Sequence, residues 1–264
     1  MRLFITNLIL TFHFTIAFGQ SETSQTQIII IGTIHSGNKL FNHKTLYEIL
    51  KNNKPDIILF EQNIKYKRVF GLRTANFLNI WKPGIEQLAL QKFSRLNKDI
   101  QILPYDTTIT SRKNYIKNLL TVKQTFHDSL YRAKKSILDS IIYADFTYKQ
   151  NLFYSFIDTS TLSRINQSDI IDKSRELHYL EEKIILPLSK KYISDSLIVN
   201  KFYNEIQFWN DRNEYMVNQI TRYTKQYAGK RIIVLTGLNH KYYLQDKLND
   251  RKKNDVKIIE FVVE

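Results

Sequence analysis

The sequence contains no cysteine. That excludes a disulfide framework, a thiolate zinc site, an iron–sulfur cluster, a cysteine nucleophile and a lipid-modified cysteine. Any metal would have to be held by His, Asp, Glu, Asn or water. Proline and glycine are scarce, with 4 and 7 among 264 residues, and between about Ser111 and Tyr227 there is one proline, Pro187, and no glycine. A stretch that long without the residues that interrupt helices reads as helical. Acidic residues are also in short supply, 25 against 39 Lys+Arg, which leaves a formal charge of +14. The lysines are scattered, with no Arg-rich block and no basic–aromatic module. The charge therefore reads as a solvated surface weakly drawn to anionic surfaces, not as a specific nucleic-acid site. The hydrophobic fraction, 43%, is ordinary and sufficient for a sizeable core.

The N-terminus has the layout of an export signal. Residues 1–19 carry one charge, Arg2, then an apolar stretch from Leu3 to Phe18, then Ala17-Phe18-Gly19 ahead of a cut before Gln20. The stretch is short of the roughly 20 residues a spanning helix needs, which favours cleavage over an anchor. No later segment approaches a membrane span. The expectation is a mature chain of residues 20–264, a single domain, working in a secreted or periplasmic setting.

The two ends of the mature chain resemble one another. Gln27-Ile28-Ile29-Ile30-Ile31 is a continuous β-branched run, as suits a strand buried on both faces of a parallel sheet. Gly32-Thr33-Ile34-His35 follows, then a helical pattern through Leu46, Ile49 and Leu50, then a second apolar strand, Asp56 to Phe60, ending at Glu61. Near the C-terminus, Arg231 to Leu235 reads as a strand and Thr236-Gly237-Leu238-Asn239-His240 as a turn. A short helix from Tyr243 to Leu248 and a closing strand from Val256 to Val263 come next. Both units run strand, Gly-x-x-His, helix, strand. A further strand is expected at Ile100 to Leu103, leading to Asp106, behind a helix from Gly84 to Leu96 with Leu88 and Phe93 inward. The expected fold is α/β: a mostly parallel central sheet built from N- and C-terminal βαβ units, with a long helical insertion at about 111–227. The insertion either covers the sheet's carboxyl edge or forms a small helical subdomain.

In an open parallel sheet, functional groups gather at the carboxyl ends of the strands. His35, Glu61, Asp106 and His240 fall at such ends. Two neutral imidazoles and a carboxylate can hold a divalent cation with open positions for water, and without metal the same trio can do acid–base work. Glu61 could equally cap a helix or pair with a lysine, and Asp106 in Pro-Tyr-Asp-Thr-Thr matches a turn or cap residue. His43, His127 and His178 read as surface or packing residues. Phe202, Ile206, Trp209, Asn213, Met216 and Ile220 share one helical stripe, so Asn213 is a polar residue on an apolar face with Arg212 beside it. Either these are a satisfied core amide and a surface arginine, or they reach into the site and hold Glu61, a substrate carbonyl or an oxyanion.

The order of Gly32-Thr33-Ile34-His35, strand-terminal Glu61, Arg212-Asn213-Glu214-Tyr215-Met216 and Gly237-Leu238-Asn239-His240 resembles the TraB/Tiki family, across roughly residues 27–244. That family belongs to a wider group with erythromycin esterases and ChaN-type haem-binding proteins. The resemblance implies an exported divalent-metal-dependent hydrolase, in the Tiki branch a peptidase, acting on a peptide or small-molecule substrate. His35, His240 and Glu61 would hold manganese, cobalt or zinc, with Glu61 a third ligand or the base for water. Arg212 would stabilise charge on the carbonyl oxygen, and Asn213 would orient Glu61 or His35. Glu86 weakly matches another family position and equally suits a surface helix residue. The late motif departs from the family in lacking a glycine soon after His240, and Lys241 and the two tyrosines are expected at the pocket rim. The alternatives are a metal-free esterase of the erythromycin-esterase kind, with His35 as base beside Glu61, and a non-enzymatic haem- or ligand-binding protein.

Overall fold

The structure is a computed structural model that describes residues 25–35, 37–63, 84–107, 112–251 and 255–260. The export signal expected at 1–19 lies outside the described residues. Five strands form one parallel sheet in the order β3-β2-β4-β1-β5. They are β1 (Thr26–Thr33), β2 (Ile57–Asn63), β3 (Gln101–Asp106), β4 (Arg231–Gly237) and β5 (Val256–Ile259). Every pairing is parallel: β4 lies centrally between β1 and β2, with Ile31 beside Leu235 and Phe60 beside Leu235 on its other edge. The α/β fold with a parallel sheet and a helical insertion is thus present.

The isoleucine-rich runs form strands because both faces of the sheet are covered. Ile29, Ile31, Ile58, Phe60, Ile233 and Leu235 face one apolar layer, and Ile28, Ile30, Ile57, Leu59, Ile232 and Val234 face the other. This is the period-two alternation of a strand buried on both sides. Helices α1 (His43–Asn53) and α2 (Ile85–Leu96) pack together on the first face. Within α2, Phe93 is buried as expected, while Leu88 is half-buried and Ala89 and Leu90 take the deepest positions.

The insertion comprises α3 (Arg112–Arg132), α4 (Ile137–Asp158), α5 (Leu162–Ile165), α6 (Ser168–Leu180), a π-turn (Glu181–Ile185), α7 (Leu186–Tyr192) and α8 (Ser196–Gln226). The π-turn lies directly ahead of Pro187. Its wider winding lets the run from α6 to α7 continue past a residue that would otherwise break the ladder. The second half of α8 lies on the sheet, placing Met216, Val217 and Ile220 against β-strand residues.

One local expectation is corrected. Residues 238–240 are not turn: α9 (Leu238–Arg251) begins directly after Gly237, so His240 stands in its first turn. The closing strand is described through Ile259, and Phe261 to Val263 lie outside the described residues.

Candidate functional site

The carboxyl edge of the sheet brings together side chains from both ends of the chain and from the insertion. His35 follows β1, and its side chain is half-exposed, at 52%. Its Nδ1 lies 2.7 Å from Glu86 Oε1. Glu86 sits in the first turn of α2, is 3% exposed, and also receives the Thr33 hydroxyl at 2.7 Å. Burial alone would raise the Glu86 carboxyl, but the hydrogen bonds and charge of His35 and the Thr33 hydroxyl outweigh it and hold the group below its ordinary value. A carboxylate at that distance fixes the ring with the proton on Nδ1, and Nε2 lies on the side of Gly237 at the crevice.

Glu61 lies within β2 and is 3% exposed. Its Oε2 accepts the Gly237 N–H at 2.6 Å, and its Oε1 accepts Arg212 Nη2 at 2.6 Å. Burial opposes its ionisation. The His240 ring, the Arg212 guanidinium, His35 and the Gly237 N–H outweigh that and hold Glu61 well below the carboxylate range.

Arg212 is buried and nearly saturated. Nε and Nη2 grip both oxygens of Asp106 at 2.9 and 2.8 Å, Nη2 also donates to Glu61, and Nη1 lies 2.9 Å from His240 Nε2. This two-pronged hold on Asp106 is the geometry a guanidinium offers and an ammonium does not. The ion pairs with Glu61 and Asp106 raise the Arg212 pKa in spite of the desolvation that opposes it.

The His240 ring is 4% exposed. Nδ1 hydrogen-bonds Asn213 Oδ1, and the Trp209 indole stacks on the ring at 3.9 Å and 15°. Since Nε2 accepts from Arg212, Nδ1 carries the proton and donates to Asn213. Burial, with Arg212 adding to it, pushes the ring's pKa down to about 3 against the pull of Glu61, so His240 is neutral at ordinary pH.

The three groups converge on Gly237. A Cβ placed there would lie 3.3 Å from His35 Nε2, 3.4 Å from Glu61 Oε2 and 3.5 Å from His240 Cδ2. The cavity above has a volume of about 330 Å³, with Leu119, Tyr154, Ile157 and Trp209 forming much of its wall. The insertion thus covers the sheet's carboxyl edge.

His35, Glu61, Arg212, Asn213 and His240, all singled out from the sequence, come together. Asn213 reaches His240, however, and not Glu61 or His35. Lys241 turns away from the crevice and is buried. The residues not assigned to the site from the sequence are Glu86, Asp106, Thr33 and Trp209. Asp106 carried a legible signal, its place at a strand end. Glu86 carried only its weak match to a position of the resembled family. His127 and His178 lie among aromatic rings, as packing residues do.

The fit of a metal can be judged on lone pairs. His35 Nε2 and His240 Nε2 stand 4.0 and 3.9 Å from Glu61 Oε1. The His240 lone pair and Glu61 Oε1 are both spent on Arg212, so a divalent ion between them would meet a buried guanidinium. Among the described residues no group of three His, Asp or Glu has a metal-holding arrangement. The donor set as folded does not fit a metal at His240.

No protein-family model matches the chain, and no curated protein does. Among solved structures, an erythromycin esterase mutant in its open conformation is similar at a TM-score of 0.32 and 12% identity, over 90% of this chain and 70% of that one. A likeness that loose carries no argument about chemistry, which rests on the side chains themselves.

Proposed function

We propose that the protein is a metal-independent hydrolase of ester or amide bonds in which His35 is the general base. One observation carries this reading: a half-exposed imidazole is locked through Nδ1 onto a buried, ionised carboxylate and turns its Nε2 towards a cavity. A base positioned by an acid that never takes its proton is the working part of many hydrolytic sites. Water held at Nε2 attacks the substrate carbonyl carbon as its proton passes to His35. The imidazolium, stabilised by Glu86 and faced by Glu61, returns that proton to the leaving oxygen or nitrogen. Arg212 and its partners form a fixed charged floor that needs no rearrangement during the reaction. The motif order shared with the TraB/Tiki group supports a hydrolase on this scaffold, and the leader-like residues 1–19 support an exported one.

The competing reading, a metal-dependent peptidase, draws on that motif order and on the approach of His35, Glu61 and His240. It requires Arg212 to release both Glu61 and His240. The test uses the purified chain, dialysed against a chelator, with p-nitrophenyl acetate and a casein peptide digest as probes. Ester hydrolysis is expected to persist after dialysis and to fall about 100-fold or more in His35→Ala, the usual contribution of a positioned base. Glu86→Gln is expected to lower kcat and leave KM nearly unchanged. Hydrolysis that appears only when manganese, cobalt or zinc is restored would overturn the proposal in favour of the peptidase. Haem binding without hydrolysis would favour the binding protein.

A further inference from the structure

The edge of β1 is closed in an unusual way just before the site. β5 pairs with β1 from Thr26 to Ile29 among the described residues. At Gly32 the N–H and the C=O are both taken by a side chain of the insertion. Asn166, in the link between α5 and α6, accepts Gly32 N–H on Oδ1 at 2.7 Å and donates from Nδ2 to Gly32 O at 2.9 Å. A primary amide thereby occupies the place of a strand rung. Its two remaining bonds fix its orientation: Nδ2 also donates to Leu162 O at 2.8 Å, and Oδ1 also accepts Lys241 Nζ at 2.8 Å. Lys241 reaches the Asn166 carbonyl as well, at 3.3 Å. All four hydrogen-bonding positions of the amide are filled.

Lys241 is 5% exposed and lies on α9, one residue after His240. Burial pushes its ammonium down to about 8, against a smaller opposing pull from Glu260. Gly32 itself lies against the start of α9. A Cβ there would stand 2.9 Å from Leu238 Cδ1 and 3.2 Å from Leu238 Cα. One residue therefore joins three things: the strand end that carries His35, the helix start that carries His240, and the insertion.

We infer that Asn166 is a positioning residue for His35, holding the end of β1 through Gly32, with Lys241 fixing the amide's orientation. It touches neither the crevice nor any reacting atom. Its effect passes through Gly32 and Thr33 to His35, three residues further along the chain. The inference rests on His35 being the base, but its first readout does not depend on activity.

That readout is the nitrogen NMR signature of the His35 ring, assigned by comparison with His35→Ala. In wild type a single Nδ1–H tautomer is expected. In Asn166→Ala the ring should show mixed tautomers or broadened signals while the protein still unfolds cooperatively. Lys241→Met should show a weaker form of the same change. Asn166→Asp keeps an acceptor for Gly32 and Lys241 and should lie between wild type and Asn166→Ala. With p-nitrophenyl acetate, Asn166→Ala should lower kcat at least fivefold with KM nearly unchanged, and Asn166→Asp should recover part of it. A folded Asn166→Ala with the wild-type His35 signature would overturn the inference. Should that variant not fold, an unaltered signature in Asn166→Asp would overturn it equally. Loss of the His35 role itself would show differently, as His35→Ala retaining hydrolysis while the Asn166 variants still disturb the ring.

Discussion

Gly237 is the residue on which the site depends most locally. Its hydrogen lies where any Cβ would fill the space between His35, Glu61 and His240. Gly237→Ala is expected to lower hydrolysis measurably, because its methyl would stand 3.3 Å from His35 Nε2 and push that ring aside by a few tenths of an ångström. Its melting curve should stay close to wild type, so the pairing of rate assay and thermal melt checks the claim. Arg212 calls for the opposite pattern. Replacing it with methionine leaves Glu61 and Asp106 buried without a cation, a loss of about 3–5 kcal/mol when one partner of a buried pair is removed. Urea unfolding of Arg212→Met would measure that loss, and Arg212→Lys should recover only part of it because an ammonium cannot grip Asp106 at two points. The His240 ring supplies a pH dependence. The unfolded ring takes up a proton near pH 6.5, while the native ring resists it until about 3. Its contribution to stability is therefore complete above pH 6.5 and is lost as the pH falls towards 3. His240→Gln should flatten that part of the acid-unfolding curve, and a curve of unchanged slope would count against a buried neutral ring.

At the scale of the element, α8 does two jobs with one helix. Its early turns carry Phe202, fully buried and stacked on Phe126 of α3 at 3.7 Å and 16°, and so tie the insertion together. Its middle carries Trp209, Arg212 and Asn213 into the site, and its later turns lie on the sheet. Phe202→Ala is expected to destabilise by about 3–5 kcal/mol, the range for deleting a buried aromatic ring, and equilibrium urea unfolding reads it directly. Much of this was legible in the sequence. The stripe from Phe202 to Ile220 follows helical spacing, and Asn213 stands out in it as the one amide. The strands were legible because Ile28 to Ile31 and Ile232 to Leu235 suit burial on both faces. The start of α9 was not legible. Gly237 reads as a helix breaker, yet here the strand passes straight into the helix, and a Cβ at that glycine would press on His35 Nε2 at 3.3 Å. The pairings of Arg212 with Asp106 and of His35 with Glu86 were not legible either, because they join residues 106 and 51 positions apart in the chain. No local pattern records contacts of that range.

At the scale of the whole molecule, both ends of the chain supply the sheet, and the insertion supplies the covering wall and the cation that neutralises the sheet edge. That division explains why the Gly-x-x-His units are alike in sequence but not in role. His35 is half-exposed and holds Glu86, whereas His240 is buried and neutral between Arg212, Asn213 and Trp209. Two equivalent metal ligands would need like surroundings and free lone pairs, and the fold gives the two rings unlike ones. The most direct test of this division is the metal content of the purified chain after incubation with manganese, cobalt or zinc and gel filtration, read by elemental analysis. An arginine seated between Glu61 and His240 predicts far less than one equivalent of each metal, the same in wild type and in His240→Ala. One tightly held equivalent in wild type that disappears in both His35→Ala and His240→Ala would contradict it.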